Sequence, residues 1–167
     1  MIEFGQAELY FKQAVFIRKE QTDYYGQMAV EIDLVNTYFR KGNYTRSLKY
    51  FEELCGRLNP DSLRLKSHAL ERISKTYLFM NDIQKAESRA IEALDLAKEV
   101  NARFNEKNIL SILSQIYATS LDYQKALEFQ KRYSDLNIWL SASKIFGRFN
   151  NLKIRIILKS KRPRIWF

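Results

Sequence analysis

His68 and Cys55 are the sole histidine and the sole cysteine in a chain of 167 residues, and neither has the company its chemistry requires. A protein metal site gathers several such ligands, and His68 has no cysteine or second histidine to join it. Cys55 follows Leu54 on an apolar helix face and reads as a structural thiol. A single cysteine allows no internal disulfide and points to a reducing compartment. The carboxylates Glu52 with Glu53, and Glu31 with Asp33, are expected on solvated helix surfaces. Gly5, Gly26, Gly42, Gly56 and Gly147 are too scattered to cradle a phosphate. With no base, nucleophile and orienting group in one place, the residues predict no catalytic centre, no metal and no cofactor.

Charge is the stronger signal. Up to Asp135 twenty basic residues face nineteen acidic ones, a balance of +1; beyond it there are eight basic residues and no acidic one. The body is therefore near neutral and the tail is a cation. Lys153, Arg155, Lys159, Lys161, Arg162 and Arg164 share that tail with Ile138, Trp139, Phe146 and Phe149. This composition suits an anionic membrane surface, or nucleic-acid phosphates with aromatic rings stacking on bases. A third reading takes the tail as an end whose natural continuation is lost.

Helices must position whatever the body binds. Residues 70–96 read as a helical hairpin, with Leu70, Ile73, Ser74 and Tyr77 on one face of its first helix. Ala86, Ala90, Ala93 and Ala97 run down its second helix, and small residues there let two backbones lie close. Between them Asp82 is placed to cap the second helix. The pattern recurs. Tyr38, Tyr77 and Tyr117 lie 39 and 40 residues apart; Leu34, Ile73 and Leu113 precede them by four; Asn43, Asp82 and Asp122 follow by five, and Ser47, Ala86 and Ala126 by nine. Each column keeps one physical role, from apolar knob through aromatic filler and helix cap to small crossing residue.

These columns resemble the tetratricopeptide repeats. The first full copy holds Leu34, Tyr38, Gly42-Asn43-Tyr44, Ser47, Phe51 and Leu54. The middle copy holds Leu70, Ile73-Ser74, Tyr77, Asp82 and the alanine face. The third holds Leu110, Leu113-Ser114, Tyr117, Asp122-Tyr123, Ala126-Leu127 and Phe129. Val35, Ser47 and Gln130 depart from the pattern. The spacing exceeds the usual repeat of about 34 residues and looks like the lengthened kind found in bacterial regulators that sense peptides or partner proteins. The resemblance implies an all-α, right-handed α-solenoid of antiparallel helix pairs, working as a non-catalytic protein- or peptide-binding scaffold. It also implies a concave groove bearing Asn36, Arg40, Arg72, Lys75, Phe79, Asn108 and Gln115, beside Ala29, Ile32, Asp33, Phe39, His68, Glu71, Ser111, Ile112 and Thr119. Family members that clamp a terminal carboxylate place a lysine where Ile32 stands, so that clamp is not expected.

The array predicted from these copies has three parts. Residues 1–26 form half a repeat and a connection, with Tyr10, Phe11, Ala14 and Ile17 as an apolar face open to a second copy of the chain. A truncated or split protein is the expected origin of that half repeat. Residues 27–137 form three helix pairs, interrupted most strongly at Asn59-Pro60-Asp61-Ser62. Residues 138–167 form a basic tail, in which the alternation of Leu152 to Leu158 has the period of a strand. No secretory leader is recognisable and no stretch reaches the length of a membrane span, so a cytoplasmic protein is expected.

Overall fold

The computed structural model describes residues 6, 9–11, 13, 14, 16, 17 and 24–160. Six helices follow one another in residues 24–160: α1 (Tyr24–Arg40), α2 (Tyr44–Arg57), α3 (Leu63–Phe79), α4 (Ile83–Glu99), α5 (Arg103–Thr119) and α6 (Tyr123–Ser160). Among the described residues there is no strand. Each helix packs against the next in sequence, and α3 also touches α5.

The turns α1–α2, α3–α4 and α5–α6 are built alike. The carbonyls of Tyr38, Tyr77 and Tyr117 accept from the backbone N–H of Asn43, Asp82 and Asp122, at 3.0, 3.0 and 2.9 Å. That bond closes only if the preceding residue turns left-handed, and Gly42, Asn81 and Leu121 do so, with φ of 76°, 62° and 63°. The Asn43, Asp82 and Asp122 side chains then accept from the N–H of Arg46, Lys85 and Lys125 at 3.2, 3.2 and 3.1 Å. One residue thus ends one helix and caps the next. Those same three cations lie over the tyrosine rings at 4.2, 5.4 and 4.9 Å. Of the three left-handed residues, Leu121 fits worst, because its Cβ crowds the carbonyl. Its side chain is exposed, so Leu121→Gly should raise stability by about 1 kcal/mol. A urea melt that shifts to lower concentration would contradict this.

Small residues set how closely the pairs approach. Ala86, Ala90, Ala93 and Ala97 are all buried against α3 and its neighbours. The hydroxyls of Ser74 and Ser67 donate across the gap to the carbonyls of Ala86 and Ala93, both at 2.7 Å. Ser114 repeats the contact to Ala126 at 3.0 Å. In the first pair the residues are exchanged: Val35 stands in the serine column and Ser47 in the alanine column. The Ser47 hydroxyl is buried there without a hydrogen-bond partner. Leu34, Tyr38, Phe51, Ile73, Tyr77, Leu113 and Tyr117 fill the interior as their columns predict.

Several expectations are corrected. α1 begins at Tyr24, inside the segment expected to be a connection. Nothing stops α6 near Asn137; it continues for 38 residues to Ser160, and residues 152–158 are helical rather than extended. The 137/138 boundary therefore falls within a single helix. Glu31 is not a surface carboxylate: it is buried and accepts from Arg57 at 2.8 Å. Of the half repeat, the described residues are helical, with Phe11 and Ala14 partly buried and Tyr10 and Ile17 exposed; residues 18–23, which include the start of the connection expected at 22–26, lie outside the described residues.

Candidate functional site

α1, α3 and α5 stand side by side, and three hollows open along the wall they make. The first, about 450 Å³, collects Asn36, Arg40, Arg72 and Lys75 with Asp33, Thr37, Phe39 and Phe11. Three cations face one carboxylate there, so this hollow favours an anionic group. Lys75 also lies 5.6 Å from the Phe39 ring. Phe39 meets Phe79 edge-on at 5.0 Å and Tyr44 at 5.3 Å, which ties the first two pairs together through an aromatic cluster.

The second hollow, about 330 Å³, lies between the amino-terminal halves of α3 and α5. It is lined by Arg72 again, with Arg64, His68, Phe104, Asn105 and Asn108. Its polar atoms are unusual. Of its lining residues, Arg72 Nε and Asn105 Oδ1 are buried and have no hydrogen-bond partner, and neither has Glu71 Oε2, which is buried outside the lining. Asn105 spends its Nδ2 on Ser67 Oγ at 2.6 Å, which fixes the direction of its free oxygen. Arg72 Nε lies 3.8 Å from Glu71 Oε1, close enough for attraction and too far for a hydrogen bond. Burial pushes the Glu71 carboxyl upward, against Arg72, Lys75 and a bond from Asn108. Burial, with Arg72 adding to it, lowers His68 to about 4, so this imidazole is neutral at physiological pH.

The third hollow, about 500 Å³, pairs Phe79 with Gln115 beside Leu78, Asn81, Ala118 and Thr119. It carries no charge. The seven groove residues expected from the sequence therefore divide among three adjacent hollows, and Arg72 belongs to two of them. Ile32, Glu71 and Ile112, expected on the same open face, are buried instead. Arg64, Phe104 and Asn105 were not expected. Asn105 lies three residues before Asn108 and hence on the same face, the one signal that marks it.

The other candidate chemistry is scattered. Cys55 is partly buried, and burial raises its thiol, which keeps it protonated and a poor nucleophile. Glu52 accepts from the Tyr77 hydroxyl at 3.2 Å. Glu87 does the same for Tyr117, whose phenol burial and this bond push up to about 12. Among the described residues no group of three His, Cys, Asp or Glu is placed to hold a metal. In the tail, Lys153 is exposed and Arg155 and Lys159 stand on α6; Lys161, Arg162 and Arg164 lie outside the described residues. No family model matches this chain, and no curated protein matches it closely enough to suggest kinship.

Proposed function

We propose that the chain is a non-catalytic, tetratricopeptide-like scaffold that holds a peptide or a segment of another protein along the α1–α3–α5 wall. In this reading the helix pairs form a right-handed solenoid, the wall is its concave side, and the protein is the cytoplasmic sensor part of a bacterial signalling or transcriptional regulator. The observation that carries it is the pair of unpaired polar atoms on Arg72 and Asn105, two residues that line the second hollow. A buried polar atom without a partner costs about 1–3 kcal/mol, and a ligand offering N–H and C=O groups would recover that cost. A peptide offers both at every residue. The cationic first hollow adds a preference for an acidic side chain or a terminal carboxylate.

A phage-displayed random peptide library, panned on the immobilised full chain, tests this. Enriched peptides should bind the wild type and lose about 10- to 100-fold in affinity to Arg72→Ala with Lys75→Ala, as expected when charge-assisted bonds are removed. Their binding should persist when residues 138–167 are deleted. Enrichment that is indifferent to the two substitutions would move the site elsewhere. A second copy of the chain, docked through residues 1–26, remains the alternative occupant of the amino-terminal end.

A further inference from the structure

We infer that the projecting half of α6 is an interfacial helix that lies on an anionic lipid surface. α6 packs against α5 through Ala126, Phe129, Tyr133 and Leu136, and beyond these it leaves the array. Every residue from Ser141 to Asn150 is exposed, as are Ile138 and Trp139. The exposed apolar residues are ordered. Ile138, Ala142, Ile145 and Phe149 follow one another at steps of four, three and four, which places them on one stripe of a helix. Trp139 and Phe146, seven residues apart, widen the stripe on one side. Ile138, Trp139, Ile145, Phe146 and Phe149 are each 55–69% exposed, and they form a continuous oily face where single scattered residues would be unremarkable.

The charges choose the occupant. Lys144 and Arg148 are four residues apart on the opposite flank, and the sequence continues the stripe through Leu152 and Ile156 and the basic flank through Arg155 and Lys159, while Lys153, seven residues after Phe146, ends the aromatic column. No acidic residue occurs after Asp135. The apolar spacing by itself would also suit a coiled coil with a second copy of this chain. In a parallel pair, however, Arg148 of one helix would meet Lys153 of the other, with no carboxylate on either to offset the repulsion. An anionic bilayer surface complements both faces at once: its headgroups attract the basic flank while the acyl boundary takes the aromatic stripe. No helix among the described residues is long and apolar enough to cross a membrane. This inference is independent of the peptide wall.

Co-sedimentation of the full chain with phosphatidylserine-rich vesicles and with pure phosphatidylcholine vesicles is the test. Binding to the anionic vesicles should be at least about tenfold tighter and should weaken as salt rises, because headgroup attraction is screened. Trp139→Ser with Phe146→Ser and Phe149→Ser should abolish it. Lys144→Gln with Arg148→Gln should reduce it by about tenfold or more. All five residues are exposed, and an unchanged urea midpoint would show that the array still folds. Equal binding to both vesicle types would overturn the inference. So would concentration-dependent dimerisation without vesicle binding, or tighter binding to double-stranded DNA than to the anionic vesicles.

Discussion

Phe51→Ala is expected to destabilise the fold by about 3–5 kcal/mol, the usual cost of removing an enclosed phenyl ring. The ring is 1% exposed, with Val35 and Leu54 in the same buried cluster, and among the described residues no larger side chain is so completely enclosed. The loss would be a large share of the roughly 5–15 kcal/mol that holds an ordinary domain together. The second helix pair predicts the converse. Its residue in the Phe51 column is Ala90, 1% exposed, and the serine-to-carbonyl bonds hold α3 and α4 too close for anything larger. Ala90→Phe should therefore cost at least about 1–3 kcal/mol through overpacking. Equilibrium urea unfolding measures both. If Phe51→Ala costs less than about 1 kcal/mol, the enclosure of that ring has been misjudged. If Ala90→Phe is harmless, the close approach of α3 and α4 is wrong.

That contrast explains what the sequence makes legible. Tyr38, Tyr77 and Tyr117, with their caps and left-handed turn residues, recur because the same local hydrogen bonds recur, and local bonds are written in short spacings. The spacing cannot distinguish a wide pair filled by a ring from a narrow one lined with alanine until the partner helix is known. Glu31 is harder still. Its neighbours in sequence suggest a wet helix face, and only the packing of α2 brings Arg57 within 2.8 Å to compensate a buried carboxylate. Glu71 and Asn105 are of the same kind, since their burial depends on how α3 meets α5. Residues 152–158 misled for a different reason: over a few residues, alternation of apolar and basic side chains fits a strand and also the edge of an amphipathic helix. Gly147, Asn150 and Asn151 weaken a helix without ending it, and no proline intervenes.

Lowering the pH should expose His68. In the unfolded chain its imidazole takes up a proton near 6.5, whereas burial, reinforced by Arg72, delays this to about 4 in the fold. Between those values the unfolded state binds a proton that the folded state refuses, so stability falls as pH falls, by about 1.4 kcal/mol per pH unit. Across the whole window the loss attributable to this residue is about 3 kcal/mol, and below pH 4 it stops growing. Glu71, with an oxygen 3.8 Å from His68 Nε2, would offset the loss if it stayed ionised. Burial pushes its own carboxyl upward, so its charge weakens just where the imidazole would need it. The raised carboxyl also works in the opposite direction, favouring the fold at low pH and losing that contribution as pH rises. Comparing the wild type with His68→Gln removes this complication, because Glu71 is present in both. The wild type should lose about 3 kcal/mol relative to the variant between pH 6.5 and 4, measured by urea unfolding at each pH. Parallel curves would mean that the imidazole accepts its proton within the fold, and that the second hollow is wetter and more anionic than its buried, unpaired atoms imply.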